Sequence, residues 1–554
     1  MRWLTIPMIN VDKNQRRKTA SVSATGCLGA VLVSMTAVSP TLAETAMAPT
    51  DAVAPALKCS DMAGSKIPGS TIVVTKAQAV AEAPPGTVRP LPRYPDTVAV
   101  AIPSNCRVDG VIDQRTGVDG KPYAIGFAVA LPDRWNGRLL FQGGGGFNGS
   151  IRPPIGAQAA GDVPGLARGF AVVSTDGGHQ GQEFDPSFMK DQEAALNHAN
   201  ATVGKVTVAA KAVIARYYGQ GPRRSYFAGC STGGREGMLA SQRYPSEFDG
   251  IVSGDPAQRA GYSNIGLAWA NAAFTEAAPR DASGKPEPSK AFSAGDRKLV
   301  SDAILAACDG KDGIKDGMIF NTRACHFDPA VLACTGAKTD ACLSQPQVSA
   351  LQKALAGPKN SRGNQVYPPF PWDRGLVAEG SISGMLVTGG GAPFGPSFRE
   401  SINVDQLEDS VAANGMERLT NTACWTNLTS FFGHGGKILF YHGWSDPWFS
   451  PLDTLDYYER MAKDSGGMEK VRANSSRFFA VPGMGHCTGG ATLDRFDLLT
   501  AVVDWVEKGK APEAVIATGK AFPGRSRPLC AYPQYARYKG EGDTEAAASY
   551  ECAE

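Results

Sequence analysis

The sequence predicts an α/β protein in which helices cover a parallel sheet, with a large insertion that interrupts the sheet before its last strands. Three observations support this. Short apolar runs alternate with helical periodicity between residues 124 and 244, the alternation lapses between about 257 and 432, and it resumes from 437 onward. A chain of 554 residues is long enough for one large α/β domain plus a second module.

Residues 124–131 and 138–142 are apolar runs bounded by Pro, Asn and Gly, which predicts two strands, the second feeding Gly143-Gly144-Gly145-Gly146. The run 169–175 predicts another buried strand. Over 201–218 apolar residues fall at helical spacing, and Arg216 and Gly219 close the segment as a helix C-terminus prefers. A strand at 225–228, a turn holding Ser231 and a helix over 235–244 follow. The next stretch is polar, rich in Gly and Pro, and without βα alternation, which predicts an inserted module. Strands at 437–442 and 476–481, with a helix at 452–462 between them, complete the sheet. The expected division is a targeting segment 1–43, a first domain part 44–257, an insertion 258–432 and a second domain part 433–554. No repeat at solenoid spacing occurs, and an Ala/Pro-rich stretch near the N-terminus is the one biased segment.

Lys and Arg number 55 against 53 Asp and Glu, well mixed, for a net charge of +2. That balance argues against a nucleic acid or an anionic membrane as partner and for a small or weakly charged substrate. The first 43 residues combine Arg16-Arg17-Lys18, an apolar run over 26–38 and the small-residue signal Thr41-Leu42-Ala43, which predicts export and a mature chain starting near Glu44. The run is shorter than the roughly 20 residues of a spanning helix, so stable membrane insertion is not expected. Cys27 stands at the start of the run, with the apolar residues after it rather than before it, against lipid attachment. The arginine pair suits a twin-arginine signal, although the residues after it fit poorly. The expected location is secreted or periplasmic; the oligomeric state is not readable.

Of 12 cysteines, 11 remain once Cys27 leaves with the signal. Disulfides are expected, with one thiol left over. A zinc cluster is disfavoured: there is no Cys-x-x-Cys, and only His326 and Cys487 offer His-Cys adjacency.

Gly229-Cys230-Ser231-Thr232-Gly233 is a G-x-S-x-G turn between a predicted strand and a predicted helix, the context in which a serine hydroxyl is held exposed for nucleophilic attack. Such a pattern can also be an ordinary tight turn; the strand and helix around it favour the catalytic reading. A base must take the hydroxyl proton. His486 lies on the loop Pro482-Gly483-Met484-Gly485 after a strand, and Asp446 lies just past the strand ending at His442. The chain order Ser231, Asp446, His486 is that of an α/β-hydrolase. His442, inside an apolar strand, is read as a satisfied core residue or one just behind the site; His179 either lines the pocket or stabilises its loop. The developing oxyanion needs donors, for which the backbone N–H groups of Thr232 and Gly146 are the candidates. The glycine tract does not lead a helix as G-x-G-x-x-G, against a nucleotide loop. Cys230 and Cys487 each adjoin a triad candidate. A bond between them would tie the nucleophile turn to the histidine loop, and two buried thiols are the alternative.

The curl Cys308-Asp309-Gly310-Lys311-Asp312-Gly313-Ile314-Lys315-Asp316-Gly317-Met318 places three carboxylates at short spacing, with carbonyls of Ile314 and Met318 available, which suits calcium in a structural role. No glutamate closes it as an EF-hand would. A solvated acidic turn is the alternative.

Taken together, Gly229-Cys230-Ser231-Thr232-Gly233-Gly234-Arg235-Glu236-Gly237, Leu452-Asp453-Thr454-Leu455-Asp456-Tyr457-Tyr458-Glu459-Arg460, Val481-Pro482-Gly483-Met484-Gly485-His486-Cys487 and Ala536-Arg537-Tyr538-Lys539-Gly540 resemble the tannase and feruloyl esterase family over about residues 59–552. The resemblance implies an α/β-hydrolase fold with a large inserted lid domain and hydrolysis of aromatic-acid esters through an acyl-enzyme. A terephthalic-type monoester is the narrower alternative, and a non-catalytic polyphenol- or carbohydrate-binding protein the alternative of another class. It also implies the bonds Cys230–Cys487, Cys59–Cys106, Cys308–Cys325, Cys334–Cys342 and Cys530–Cys552 with Cys424 free. Calcium ligands carry over to Asp309, Asp312, Ile314, Asp316 and Met318, and oxyanion donors to Gly146 and Thr232. Some members draw an arginine for a free substrate carboxylate and an aromatic clamp from the lid. The corresponding stretch, 381–405, is shorter here, and Phe394, Phe398 and Arg399 are its candidates for those roles.

Overall fold

The computed structural model describes residues 52–90, 96–380, 383–390 and 401–554. The expected targeting segment 1–43 and the candidates Phe394, Phe398 and Arg399 lie outside the described residues.

One nine-stranded sheet organises the chain: β1 (Val73–Val80), β2 (Asn105–Thr116), β3 (Pro122–Pro132), β4 (Arg138–Gln142), β5 (Ala171–Thr175), β6 (Arg224–Cys230), β7 (Gly250–Gly254), β8 (Lys437–Gly443) and β9 (Ser476–Val481), in the order β1-β2-β3-β5-β4-β6-β7-β8-β9. The sheet is mixed, which corrects the expectation of a parallel one. From β5 through β4 to β9 every neighbour is parallel, whereas β1, β2 and β3 pair antiparallel and β3 pairs antiparallel with β5. Connection length explains the difference. Strands β2 and β3 are joined by a short turn, which permits only an antiparallel pair, while helical crossovers return the chain in a parallel direction.

The helices that cover the sheet are α1 (Thr202–Tyr218), α2 (Thr232–Arg243), α6 (Pro451–Asp464) and α7 (Leu498–Lys508). As the sequence predicts, α1 ends on Gly219, whose φ of 75° is the left-handed conformation favourable to glycine. Successive residues of the strands serve opposite faces. Leu139, Phe141, Phe227, Ile251, Ile438 and Phe440 pack with α1, α2 and α6, while Leu140, Tyr226, Val252, Leu439 and Phe479 pack with α7. Both faces being buried, the strands read as continuous apolar runs rather than alternating ones.

Between β7 and β8 the chain leaves the sheet for residues 255–436 and then returns to pair directly, Gly250 opposite Lys437. The described part of this excursion includes the helices α3 (Ala260–Ala277), α4 (Ala294–Cys308) and α5 (Gln345–Leu355). Ser293 with Asp296 and Ser344 with Gln347 form capping boxes that start α4 and α5. The segment has a core of its own, with Phe274, Phe292, Ile304, Leu351 and Phe370 among its buried residues. Among the described residues, no helix is long and apolar enough to cross a membrane.

Phe141 is fully buried in β4, stacked on Phe227 at 5.1 Å and edge-on to Phe248 at 6.3 Å. Phe141→Ala therefore lowers the unfolding free energy by about 3–5 kcal/mol in a denaturant titration.

Candidate active site

The site is built where four parallel strands end. β6 ends at Cys230, and α2 begins at Thr232 with no intervening loop, so Ser231 alone makes the turn, at φ 65° and ψ −124°. That left-handed conformation is uncommon for a residue with a Cβ and persists only where the surroundings enforce it. Here the Ser231 N–H donates to the Gly254 carbonyl at 3.0 Å, and the Ser231 carbonyl accepts from Arg235 and Ala257. The flanking glycines are a steric requirement. A Cβ on Gly229 would come within 2.6 Å of the Gly233 backbone, and one on Gly233 within 2.9 Å of the Gly143 backbone. Starting α2 at 232 rather than at 235 follows from this abrupt turn.

His486 follows β9, and Asp446 follows β8. The two lie 2.7 Å apart, with His486 Nδ1 donating to Asp446 Oδ2. Asp446 Oδ1 accepts from the backbone N–H groups of Trp448 at 2.8 Å and Phe449 at 3.1 Å. His486 Nε2 is buried and has no hydrogen-bond partner among the described residues, so it is available to a group that enters the site. The ring lies beside Trp448 and Phe449, with centroids at 4.6 and 5.3 Å.

A second carboxylate and a second imidazole lie behind this pair. His442 Nε2 faces the Phe449 carbonyl at 3.0 Å and Asp446 Oδ2 at 3.3 Å, while Nδ1 meets Thr454 Oγ1 at 2.9 Å. His442 is thus the buried, satisfied residue the sequence predicts. Asp255, at the end of β7, was not singled out from sequence. Its Oδ1 accepts from the Gly443 N–H at 2.8 Å and stands 3.6 Å from His442 Nε2. Burial pushes the Asp255 carboxyl up to about 6, and the Asp446 charge adds to this. Burial acts in the same direction on Asp446, but the attraction of His486 and the hydrogen bonds from both histidines outweigh it and hold that carboxyl well below the usual range. On His442 burial favours the neutral ring, and the charges of Asp255 and Asp446 reverse this to a net upward shift.

Five disulfides occur among the described residues, Cys59–Cys106, Cys230–Cys487, Cys308–Cys325, Cys334–Cys342 and Cys530–Cys552, and Cys424 is free and exposed. Cys230–Cys487 joins the residues next to Ser231 and His486 across 257 positions.

The glycine tract after β4 is held by α2. Thr232 Oγ1 donates to the Gly146 carbonyl, and the Gly144 N–H donates to Glu236 Oε2 at 2.9 Å. Gly146 has φ 55°, and a Cβ there would meet the Phe184 ring at 2.7 Å. Glu236 is buried beside Arg235, whose guanidinium donates to the Ala199 carbonyl at 3.0 Å. Burial raises the Glu236 carboxyl, and the Arg235 charge opposes it. Neither carries a role from sequence; an Arg-Glu pair directly after the Ser231 turn, on a helix that must pack against the sheet, is the available signal. His179 is buried and stacked on Phe188 at 3.6 Å between centroids, which favours the loop-stabilising role, and burial lowers its pKa to about 4.

In the acidic curl, Asp309 Oδ2 accepts from the Gly317 N–H at 2.9 Å and Asp312 Oδ2 from the Phe320 N–H at 2.8 Å. Asp316 pairs with Arg527 and, at 3.6 Å, with Arg525. Burial pushes Asp312 up to about 7, with the charges of Asp316 and Asp309 adding to it. Asp309 and Asp312 are buried oxygen donors of the type a hard cation takes, while Asp316 is offset by its two arginines.

Residues 106–422 and 397–553 match the family model described as tannase and feruloyl esterase. The chain is 41% identical over 524 residues to the mono(2-hydroxyethyl) terephthalate hydrolase of Piscinibacter sakaiensis, covering 82% of this chain and 86% of that one. It is 31% identical over 495 residues to a probable feruloyl esterase B-2 of Aspergillus terreus, covering 81% and 88%. The crystal structure of feruloyl esterase B from Aspergillus oryzae superposes with a TM-score of 0.69 at 25% identity, covering 88% of this chain and 98% of that one.

Glu236→Ala leaves the buried Gly144 N–H without its acceptor. A loss of about 1–3 kcal/mol is expected in a urea titration.

Proposed function

The chain belongs to the tannase and feruloyl esterase family and is an ester hydrolase, and from that premise we propose that Ser231 attacks the carbonyl of an aromatic-acid ester with His486 as base and Asp446 as its orienting carboxylate. The observation that carries this is the 2.7 Å bond from His486 Nδ1 to the buried Asp446, with Nε2 unpartnered and its loop tied by Cys487 to the residue beside Ser231.

His486 Nε2 takes the Ser231 hydroxyl proton as the oxygen bonds to the acyl carbon. The backbone N–H groups of Gly146 and Thr232 stabilise the resulting oxyanion, and His486 returns the proton to the departing alcohol. Water, deprotonated by the same nitrogen, then releases the acid from the acyl-enzyme. Asp446 remains ionised throughout and stabilises the imidazolium. Trp448 and Phe449 beside His486 favour a flat aromatic acyl group. A terephthalic monoester is the second reading, favoured by the 41% identity to the hydrolase of Piscinibacter sakaiensis. In either case we assign substrate contact to Phe394, Phe398 and Arg399, and the role of a lid to the insertion.

Export through residues 1–43, to a periplasm or the exterior, is supported by the five disulfides. Calcium would be held by Asp309, Asp312 and Asp316 with the carbonyls of Ile314 and Met318. It would supply a positive charge among buried carboxylates, fixing the curl next to the Cys308–Cys325 bond.

Ser231→Ala lowers turnover of an aryl ester by at least about 10³-fold with the melting temperature retained, and undiminished turnover would remove the triad. Gly146→Ala, whose Cβ would strike the Phe184 ring and displace the N–H from the oxyanion, lowers kcat by about 10²-fold with a lesser change in KM. A panel of galloyl, feruloyl, 4-hydroxybenzoyl and terephthaloyl monoesters ranks the acyl group by kcat/KM. Chelation of calcium lowers the melting temperature of the wild type but not that of Asp312→Asn; equal responses would assign the curl to solvated carboxylates.

A further inference from the structure

We propose that Asp373, supplied by the insertion, is a positioning residue of the hydrolytic site that fastens the Asp446 loop and the His486 loop to a common acceptor. The proposal rests on the triad reading above. Asp373 is 1% exposed. Its Oδ2 accepts two hydrogen bonds from the hydrolase part of the chain, from Ser445 Oγ at 2.9 Å and from the Gly483 N–H at 2.6 Å. Ser445 immediately precedes Asp446, and Gly483 is on the turn that leads to His486. Oδ1 accepts from the N–H of Arg374 at 2.7 Å, which orients the carboxylate toward both loops.

The neighbouring residues extend the contact. A Cβ on Gly375 would come within 2.5 Å of the Ser445 side chain and 2.6 Å of the Gly483 carbonyl, so both loops pack directly on this stretch of backbone. Upstream, Ser450 Oγ donates to the Pro369 carbonyl at 2.6 Å and the Ser450 N–H to Tyr367 Oη at 2.9 Å. The chain from 367 to 375 therefore holds the Asp446 loop on both sides of Asp446.

A buried carboxylate is costly unless hydrogen bonds compensate it, and two of the three compensating donors here belong to the loops that carry the base and its partner. The loops also share backbone bonds, from the Trp444 N–H to Val481 and from the Ser445 N–H to Met484, both at 2.9 Å. Asp373 adds a charged acceptor common to both, on a third element. The His486–Asp446 bond depends on the separation of these loops, and a displacement of about 1 Å in such a constellation can cost about 10²-fold in rate. In this way the insertion contributes to the chemistry.

The test uses the full chain with Asp373→Ala, Asp373→Asn and Ser445→Ala, with active sites counted by a serine-reactive phosphonate. Asp373→Ala should lower kcat per titrated serine by about 10²-fold while KM for a small aryl ester moves less than about threefold. Asparagine can still offer one oxygen to Ser445 and Gly483, so Asp373→Asn should recover most of the loss. Ser445→Ala should cost about tenfold, and combined with Asp373→Ala should add nothing further. The far-downfield proton resonance of His486 Nδ1–H should shift or broaden in Asp373→Ala, a readout that holds whatever ester is turned over.

If Asp373→Ala lowers only the melting temperature and the titratable fraction, with kcat per titrated serine unchanged, the role is structural and the proposal falls. An unaltered Nδ1 resonance in the folded variant has the same consequence. Should Asp373→Ala not fold, Asp373→Asn and Ser445→Ala decide the matter by the same criteria. Turnover that survives Ser231→Ala would instead count against the triad, and the resonance would still judge the clamp.

Discussion

Parallel pairing across β6, β7, β8 and β9 places four strand ends side by side, and each end releases one member of the site: Ser231, Asp255, Asp446 and His486. These residues are brought together across more than 250 positions of sequence by the hydrogen-bond register of the sheet. The insertion leaves that register intact because β7 and β8 pair directly, Gly254 opposite Tyr441. Ligand sites of open α/β sheets collect at the carboxyl ends of strands for this reason, where chain reversals expose side chains that a rigid sheet positions.

The close approach at this edge has two consequences. The strained turn at Ser231 and the glycine tract 143–146 meet backbone to backbone, so glycine is enforced at Gly229 and Gly233. Dehydration of the same edge raises the cost of charge. Two carboxylates and two imidazoles are buried together, and the carboxylates divide: Asp446, bonded to both histidines, is held ionised, while Asp255 is shifted toward its neutral form. A site with one firmly anionic carboxylate beneath a histidine suits the stabilisation of an imidazolium.

The insertion has its own apolar core, yet it is fastened to the hydrolase part by polar contacts that a second independent domain would not need. Asp373 and Tyr367 reach the loops of the site, and Asp316 reaches Arg525 and Arg527 near the C-terminus. Charged bonds of this kind gain strength from burial and depend on direction, so they set the orientation of a module where apolar contact would tolerate sliding.

Strand and helix identity was legible wherever one residue type decides local conformation: Gly219 ending α1, the glycines around Ser231, the apolar runs of β4 and β9. The order Ser231, Asp446, His486 was legible too, because each follows a strand. Strands β1, β2 and β7 were not read; β7 is five residues of Gly-Ile-Val-Ser-Gly, and its burial on both faces comes from neighbours distant in sequence. The antiparallel direction of β3 was likewise missed, since strand direction depends on which strand lies alongside. Asp255 and Asp373 stayed hidden because nothing local distinguishes a buried carboxylate from an exposed one. Side-chain type and backbone preference are local, so the chemistry on offer and the turns that present it can be read along the chain. Which carboxylate faces which histidine, and that a residue of the insertion joins both loops, emerges only on folding, because burial and hydrogen-bond partnership are properties of packed neighbours.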